Sequence, residues 1–365
     1  METLQVRPSE TKPIVLRAMK AKRPIFIWGS PGIGKSDLIQ QIVDSGDLGN
    51  AFMIDMRLAL MEPTDLRGYP FRNPDTNTME WAPAADLPTQ QLADQYDTIV
   101  LFLDELNSAP PSVQAAAYQL VLNGKIGQYS LPNNVKIVAA GNKETDRGVT
   151  FRMPSPLANR FRHINMDVNF EDWSIWATDN KVHQDVIGYL TYAKADLFDF
   201  DPKTSSQSFA TPRSWSFVSE ILTTEGFDTA SDYEQKAEIA GAIGEGMAIK
   251  FCEHRKYSSR LPNPEDVLNG TVKKLDIQEK SAQYSFAIGL CYELAELQGK
   301  DDEKAFDKGV DYFFDFIMDN FEPELVIYSA KTVLSDHDID IKPRKLAGKK
   351  EFKDRYWKYL FPAGS

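Results

Sequence analysis

The residues best equipped for chemistry lie in IFIWGSPGIGKSDLIQQIV, where Gly29-Ser30-Pro31-Gly32-Ile33-Gly34-Lys35-Ser36 satisfies G-x-x-x-x-G-K-[ST]. The context fits as well: an apolar run, Ile25–Trp28, precedes the loop, and Leu38, Ile39, Ile42 and Val43 repeat at helical spacing after it. Glycines let the backbone curl so that several N–H groups face one phosphate, and the start of the following helix adds its positive dipole end. In such a loop the Lys35 ammonium reaches the β- and γ-phosphates of a nucleotide, and the Ser36 hydroxyl ligates Mg2+. Gly29, Pro31, Gly32, Ile33, Gly34, Lys35, Ser36 and Asp37 are therefore the expected nucleotide-binding residues.

Further along, TIVLFLDELNSAPPSV reads as a buried strand ending in Asp104-Glu105. Asp104 is expected to hold Mg2+ through water, and Glu105 to orient and deprotonate an attacking water. A carboxylate directly after the metal-holding aspartate is what a hydrolase needs and a small-molecule kinase does not. The next apolar run, KIVAAGN, ends in Asn142, placed to contact the γ-phosphate or the water. Asn142-Lys143-Glu144-Thr145-Asp146 nearly reproduces the guanine reader N-K-x-D, but Thr145 stands where the aspartate is required, so ATP is the expected nucleotide. In SPLANRFRHI, Arg160 is the leading candidate for a finger that stabilises transition-state charge in a neighbouring subunit. Arg162 is a weaker candidate, and Arg147 and Arg152 stay open. In ATPRSW, Arg213 falls in the first turn of a helix, where its charge opposes the dipole; a phosphate partner would resolve that conflict.

Strands alternating with helices over the first half imply βαβ units and a parallel sheet. The apolar runs are Ile25–Trp28, Phe52–Asp55, Ile99–Leu103 and Lys136–Ala140, and a well-punctuated helix carries Val113, Ala116, Ala117, Leu120 and Val121 between Pro110-Pro111 and Gly124. The polar run Asp201–Ser208 reads as a linker, and beyond it only helical patterns appear: Trp215–Leu222, Ala237–Phe251, Ala282–Leu297 and Asp311–Phe321. The expected organisation is an α/β core over 1–205 and an all-α domain over 206–365. Trp173 and Trp176 are expected in the core of the helix closing the α/β domain. The stripe Phe313, Phe314, Phe316, Ile317 and Phe321 is expected in helical-domain core or subunit packing, and Cys252 and Cys291 are expected to be small buried hydrophobes.

The chain of 365 residues carries a net charge of −12, which argues against a general nucleic-acid binder but not against a local phosphate site. Two cysteines and four scattered histidines exclude a disulfide framework and a zinc cluster. No apolar run approaches the ~18 residues of a membrane span, so no membrane insertion is expected. METLQVRPSETKP lacks the apolar stretch of a secretory signal, and a cytoplasmic protein is expected. Residues 301–324 hold nine acids against two lysines, and residues 341–358 hold eight bases against two acids. They read as a solvated helix face followed by a basic tail, or as a contact with a subunit or partner.

The motif order, with T-P-R opening an all-helical domain, resembles an AAA+ ATPase, and within that superfamily the MoxR family. Met61-Glu62-Pro63-Thr64-Asp65-Leu66-Arg67-Gly68 is similar to the family's segment after the second core strand. A family insert would then be the hairpin Tyr69–Trp81, with Asn73-Pro74-Asp75 at its turn, and Gly124–Pro132 sits where the family carries a hairpin before its third motif strand. GEGMAIKFCEH and LPNPEDVL are also similar, whereas the likeness is vague over 271–365, and the basic tail is not part of the family pattern. The resemblance implies a P-loop parallel sheet flanked by helices and followed by a helical lid. It also implies ATP and Mg2+ as cofactors, a ring-shaped homo-hexamer with ATP between subunits, chaperone-like remodelling of a protein client, and a partner carrying a von Willebrand factor A domain. Two other readings are a nucleic-acid translocase or restriction-type NTPase, with Lys125 and Gln128 lining a pore, and a scaffold that binds ATP with negligible turnover.

Overall fold

The computed structural model describes residues 4–126, 129–146, 151–203, 207–258, 260–298, 303–336 and 350–360. Gln128, Arg147, the acids Asp301 and Asp302, and the tail bases Lys342, Arg344, Lys345 and Lys349 lie outside them. The chain divides into two compact units: Met1–Asp172 with Asp201–Ser205, and Trp173–Phe200 with Ser206–Ser365.

The first unit is built on a parallel sheet of six strands: β1 (Gln5–Val6), β2 (Ile25–Trp28), β3 (Ala51–Arg57), β6 (Thr98–Asp104), β9 (Val135–Gly141) and β10 (Arg162–Met166). Their order is β1-β10-β2-β9-β6-β3. Ile99 through Leu103 are all fully buried, as a central parallel strand covered on both faces must be. Val138–Ala140 of β9 and Ile25–Ile27 of β2 are equally dry. Trp28 pairs with Gly141, and Leu103 with Ala139, so the loops after β2, β6 and β9 emerge side by side at one end of the sheet. The helix Lys35–Asp44 buries Leu38, Ile39, Ile42 and Val43, and Pro111–Asn123 buries Val113, Ala116, Ala117, Leu120 and Val121, the faces read from spacing. The second helix stops at Gly124, in the left-handed conformation at φ 60°, whose N–H donates to Leu120 O.

A hairpin is formed by β4 (Tyr69–Asn73) paired antiparallel with β5 (Thr78–Ala82), and Asn73 Oδ1 accepts from Asp75 N–H at its turn. A second, smaller hairpin is formed by β7 (Lys125–Ile126) and β8 (Tyr129–Ser130).

In the described residues the second unit is helical, and two features depart from the pattern read along the chain. Residues Trp173–Phe200 group with it rather than with the α/β part. The helix Gln184–Tyr192 buries its apolar face against Lys280–Gln298, where the Gly188 Cα approaches Ser285 so closely that a Cβ would stand 2.1 Å from Ser285 Oγ. The run Ala237–Phe251, expected as one helix, is two, Asp232–Ile243 and Glu245–Ser258, parted at Gly244 with φ 86°. The core contains Trp215, Phe251, Phe313, Phe314 and Phe352, all fully buried, with Phe352 of the terminal helix Lys350–Leu360 packed edge-on to Phe314 at 4.7 Å. Phe316, Ile317 and Phe321 are buried there too, as is Cys291, while Cys252 is half-buried.

His254, on the helix Glu245–Ser258, is buried in this unit with Nε2 2.8 Å from Ser285 Oγ. Burial pushes its pKa down to about 4, against smaller opposing effects of Asp185 and Glu279. Between that value and an ordinary ~6.5 the unfolded chain binds a proton that the folded chain refuses. The unit's stability is therefore complete above about pH 6.5 and falls on acidification toward pH 4, by an amount on the order of 3 kcal/mol. Chemical denaturation at pH 7.5 and 4.5 should show this loss in the wild type and a smaller one in His254→Gln.

Candidate functional site

The loop after β2 owes its shape to Gly32 and Gly34, at φ 75° and 87°, the left-handed region that costs a side-chain-bearing residue energy. Gly34 caps the helix Lys35–Asp44 from outside, so the helix begins with its free N–H groups facing the loop. The Lys35 side chain turns back under this loop and is 9% exposed. Its Nζ donates to Gly29 O at 2.7 Å, Ser30 O at 2.9 Å and Asn142 Oδ1 at 3.0 Å. A buried ammonium demands such partners. Two of them are loop carbonyls, and the third is the polar residue at the end of the neighbouring strand β9. Ile33 is buried, Pro31 is half-buried and Asp37 is exposed in the first helical turn.

Ser36 Oγ donates to Asp104 Oδ2 at 3.0 Å, joining the loop to the end of β6. A hydroxyl and a carboxylate oxygen, both hard ligands, fit Mg2+, which commonly takes one or two protein groups and completes its octahedron with phosphate and water. Among the described residues no group of three His, Cys, Asp or Glu could hold a metal. Asp55, on the adjacent strand β3, senses the local negative charge. Its pKa is raised by burial first and by Asp104 second, with Arg57 opposing.

Glu105 has φ 54°, left-handed backbone for a residue with a long side chain. Its N–H donates to Asp104 Oδ1 at 2.9 Å, and its carbonyl accepts from Ser108 N at 2.9 Å and Ala109 N at 3.1 Å. The turn thereby lifts the Glu105 side chain out of the strand's up-down alternation, and it remains half-buried. Asn107, two residues on, was not singled out by the motif. It is 1% exposed, and its Nδ2 donates to Asn142 O at 2.8 Å.

Arg160 follows the short helix Ser155–Ala158; it is exposed, and its guanidinium makes no hydrogen bond or ion pair among the described residues. Arg162 opens β10 and is exposed, as is Arg152. Trp28 and His163, also unmarked by any motif, connect this region to the phosphate loop. Trp28 Nε1 donates to His163 Nδ1 at 2.8 Å, leaving His163 Nε2 to donate to Ala158 O at 2.7 Å. Arg213 is exposed in the first turn of Pro212–Thr223, in the helical unit, after a Thr211 cap that accepts from Ser214 N–H. The structure thus gathers the loop, Asp104, Glu105 and Asn142 at one end of the sheet, while Arg160 and Arg162 of the same unit, and Arg213 of the helical unit, have exposed side chains.

A parallel sheet with this strand order, a glycine loop and lysine after β2, an acidic pair after β6 and an asparagine after β9 defines the P-loop NTPase fold, followed here by a helical unit. No protein-family model matches the sequence. Similar solved structures include a candidate ATPase from Cytophaga hutchinsonii, 13% identical over 93% of this chain and 87% of that one, with a TM-score of 0.33. NtrX from Brucella abortus in complex with ATP is 12% identical over 71% of this chain and 65% of its own, with a TM-score of 0.38. A mutant of RuvB from Thermotoga maritima is 16% identical over 69% and 74% of the two chains, with a TM-score of 0.36. Likeness at this level bears on neither activity nor site. No helix among the described residues is long and apolar enough to cross a membrane.

Because the folded state holds Asp55 as a reluctant anion, ionising it costs stability once pH rises above the unfolded carboxylate value of about 3.9. Asp55→Asn should therefore melt at a higher temperature than wild type at pH 7, and the advantage should vanish as pH falls below about 4. Paired thermal melts across that range test the sign.

Proposed function

We propose that this chain is an ATP hydrolase of the AAA+ class, MoxR type, working as a ring that remodels protein clients. The observation supporting the reading is the pair of bonds Lys35–Asn142 and Ser36–Asp104, which draws three separately recognised motifs, the glycine loop, the acidic pair and the β9 asparagine, together at one end of the sheet. The loop amides and Lys35 bind the β- and γ-phosphates. Ser36 and Asp104 hold Mg2+, which when bound supplies charge neutralisation on the phosphate oxygens. Glu105 orients a water and takes its proton, and Asn142 holds the water or the γ-phosphate on the other side. Arg160, exposed and unpaired among the described residues, acts in the site of an adjacent copy, and Arg213 contributes a further positive charge to the nucleotide. The hexameric ring, the von Willebrand factor A-domain partner and the cytoplasmic setting rest on the resemblance in sequence. Turnover stimulated by DNA, with steep salt dependence, would instead favour a translocase.

Replacing Glu105 by Gln should lower phosphate release by about 10²-fold or more while ATP is still retained, since only the proton transfer is removed. A Glu105→Gln protein that hydrolyses ATP normally would refute its role as base. Arg160→Ala should lose roughly 10³-fold in turnover with binding intact. If the finger acts between copies, mixing the inactive Arg160→Ala and Glu105→Gln proteins restores activity at interfaces that pair an intact Glu105 with an intact Arg160. Phosphate release that stays at background at every mixing ratio counts against action in trans.

A further inference from the structure

We propose that Asn107 is a positioning residue for hydrolysis, its side-chain amide setting Glu105 and Asn142 at a fixed separation; this rests on the reading of the chain as an ATP hydrolase. Asn107 sits in the turn that Glu105 begins, and its neighbours Leu103, Leu106 and Ala109 are fully buried. Its Nδ2 donates to Asn142 O at 2.8 Å. The same Asn142 presents Oδ1 to Lys35 Nζ. Asn107 O accepts from Phe151 N at 2.7 Å, so the residue also anchors the chain that runs on toward Arg160.

Stability alone does not account for an amide here. Asn107 Oδ1 is buried with no hydrogen-bond partner among the described residues. A half-satisfied buried amide is costly, and an apolar side chain of similar volume would fill an apolar site without that cost. What the amide supplies is direction. Glu105 occupies a left-handed conformation that a free turn would relax, and the next residue, Leu106, is tied by its N–H to Ala140 O of β9. Asn107 adds a side-chain bond one residue beyond that ladder bond and so fixes how the turn is rotated against the end of β9. The fit is close: a Cβ on Gly141 would stand 2.1 Å from Asn107 Oδ1 and 2.8 Å from its Cγ. Glycine at 141 is thus the space in which the amide lies.

The relationship is tested on the full chain with Asn107→Leu, which keeps the volume and removes the donor, and with Gly141→Ala, which pushes the amide aside from the opposite strand. Each is assayed for MgATP turnover and ADP affinity, with thermal melting as a control. In Asn107→Leu, kcat should fall at least about tenfold while KM for MgATP and the ADP Kd move by less than about threefold. Gly141→Ala should show the same split. Because both displace the same amide, although the new Cβ also presses on Phe26 Cζ at 2.8 Å, the double variant should lose less than the product of the two single losses. A folded Asn107→Leu with kcat within about twofold of wild type overturns the proposal. So does a loss of nucleotide affinity in both variants that parallels a drop in Tm, the signature of a purely structural role. Should Asn107→Leu not fold, the kcat–KM split in Gly141→Ala decides alone. Wild-type protein that binds ADP but releases no phosphate would refute the hydrolase reading, and the positioning role with it.

Discussion

A buried ammonium ion organises this site. Lys35 is held inside the protein by three oxygens, two from the loop that precedes it and one from the strand beside it. An ion in such a place is tolerated only when its hydrogen-bonding capacity is spent, so the loop carbonyls of Gly29 and Ser30 must face inward. With the carbonyls turned in, the adjoining N–H groups are left to face a ligand. The constraint also reaches the sheet, because Asn142 can supply the third oxygen only if β9 lies directly against β2. The strand order is thus tied to the electrostatics of one side chain.

The rest of the site follows from the same adjacency. β6 lies on the far side of β9 from β2, and Ser36 reaches the end of β6 through Asp104. The Asp104 carboxylate at the end of β6 is felt by Asp55 on the neighbouring β3, while Lys35 follows β2 and is bonded to the end of β9. Backbone strain is kept at the point where it is useful: Glu105 leaves the regular strand geometry immediately after Asp104, and hydrogen bonds from Ser108 and Ala109 hold its carbonyl.

Much of this was legible because fully buried strands leave an unmistakable record. β2 and β6 are continuous apolar runs, and β9 is one beyond Lys136, since both faces of a central parallel strand are covered. β10, RHINM, left no such record: Arg162 and His163 are exposed, and β1 pairs with it only at Asn165 and Met166. The break at Gly244 was hidden for a different reason, since apolar periodicity runs through both helices and a lone glycine is weak punctuation. The grouping of 173–200 with the helical unit depends on a face meeting Lys280–Gln298, a contact distant in sequence. In the site, residue identities were readable but conformations were not. Nothing in the letters DELN says that Glu105 is left-handed, or that Asn107 lies in the space Gly141 leaves open.

The link between Trp28 and His163 gives the chain an optical property. Trp28 is the last residue before the phosphate loop, and its indole lies 6.0 Å from the His163 ring, centroid to centroid, in a stacked arrangement, with the indole N–H bonded to the imidazole. Indole emission depends on the polarity around the ring and on whether its N–H is engaged, and here His163 Nδ1 engages it. A fluorophore is therefore built into the base of the nucleotide loop, and the difference between wild-type and Trp28→Phe spectra isolates its signal from the other five tryptophans. The chain carries its own dye at the residue that leads into this loop.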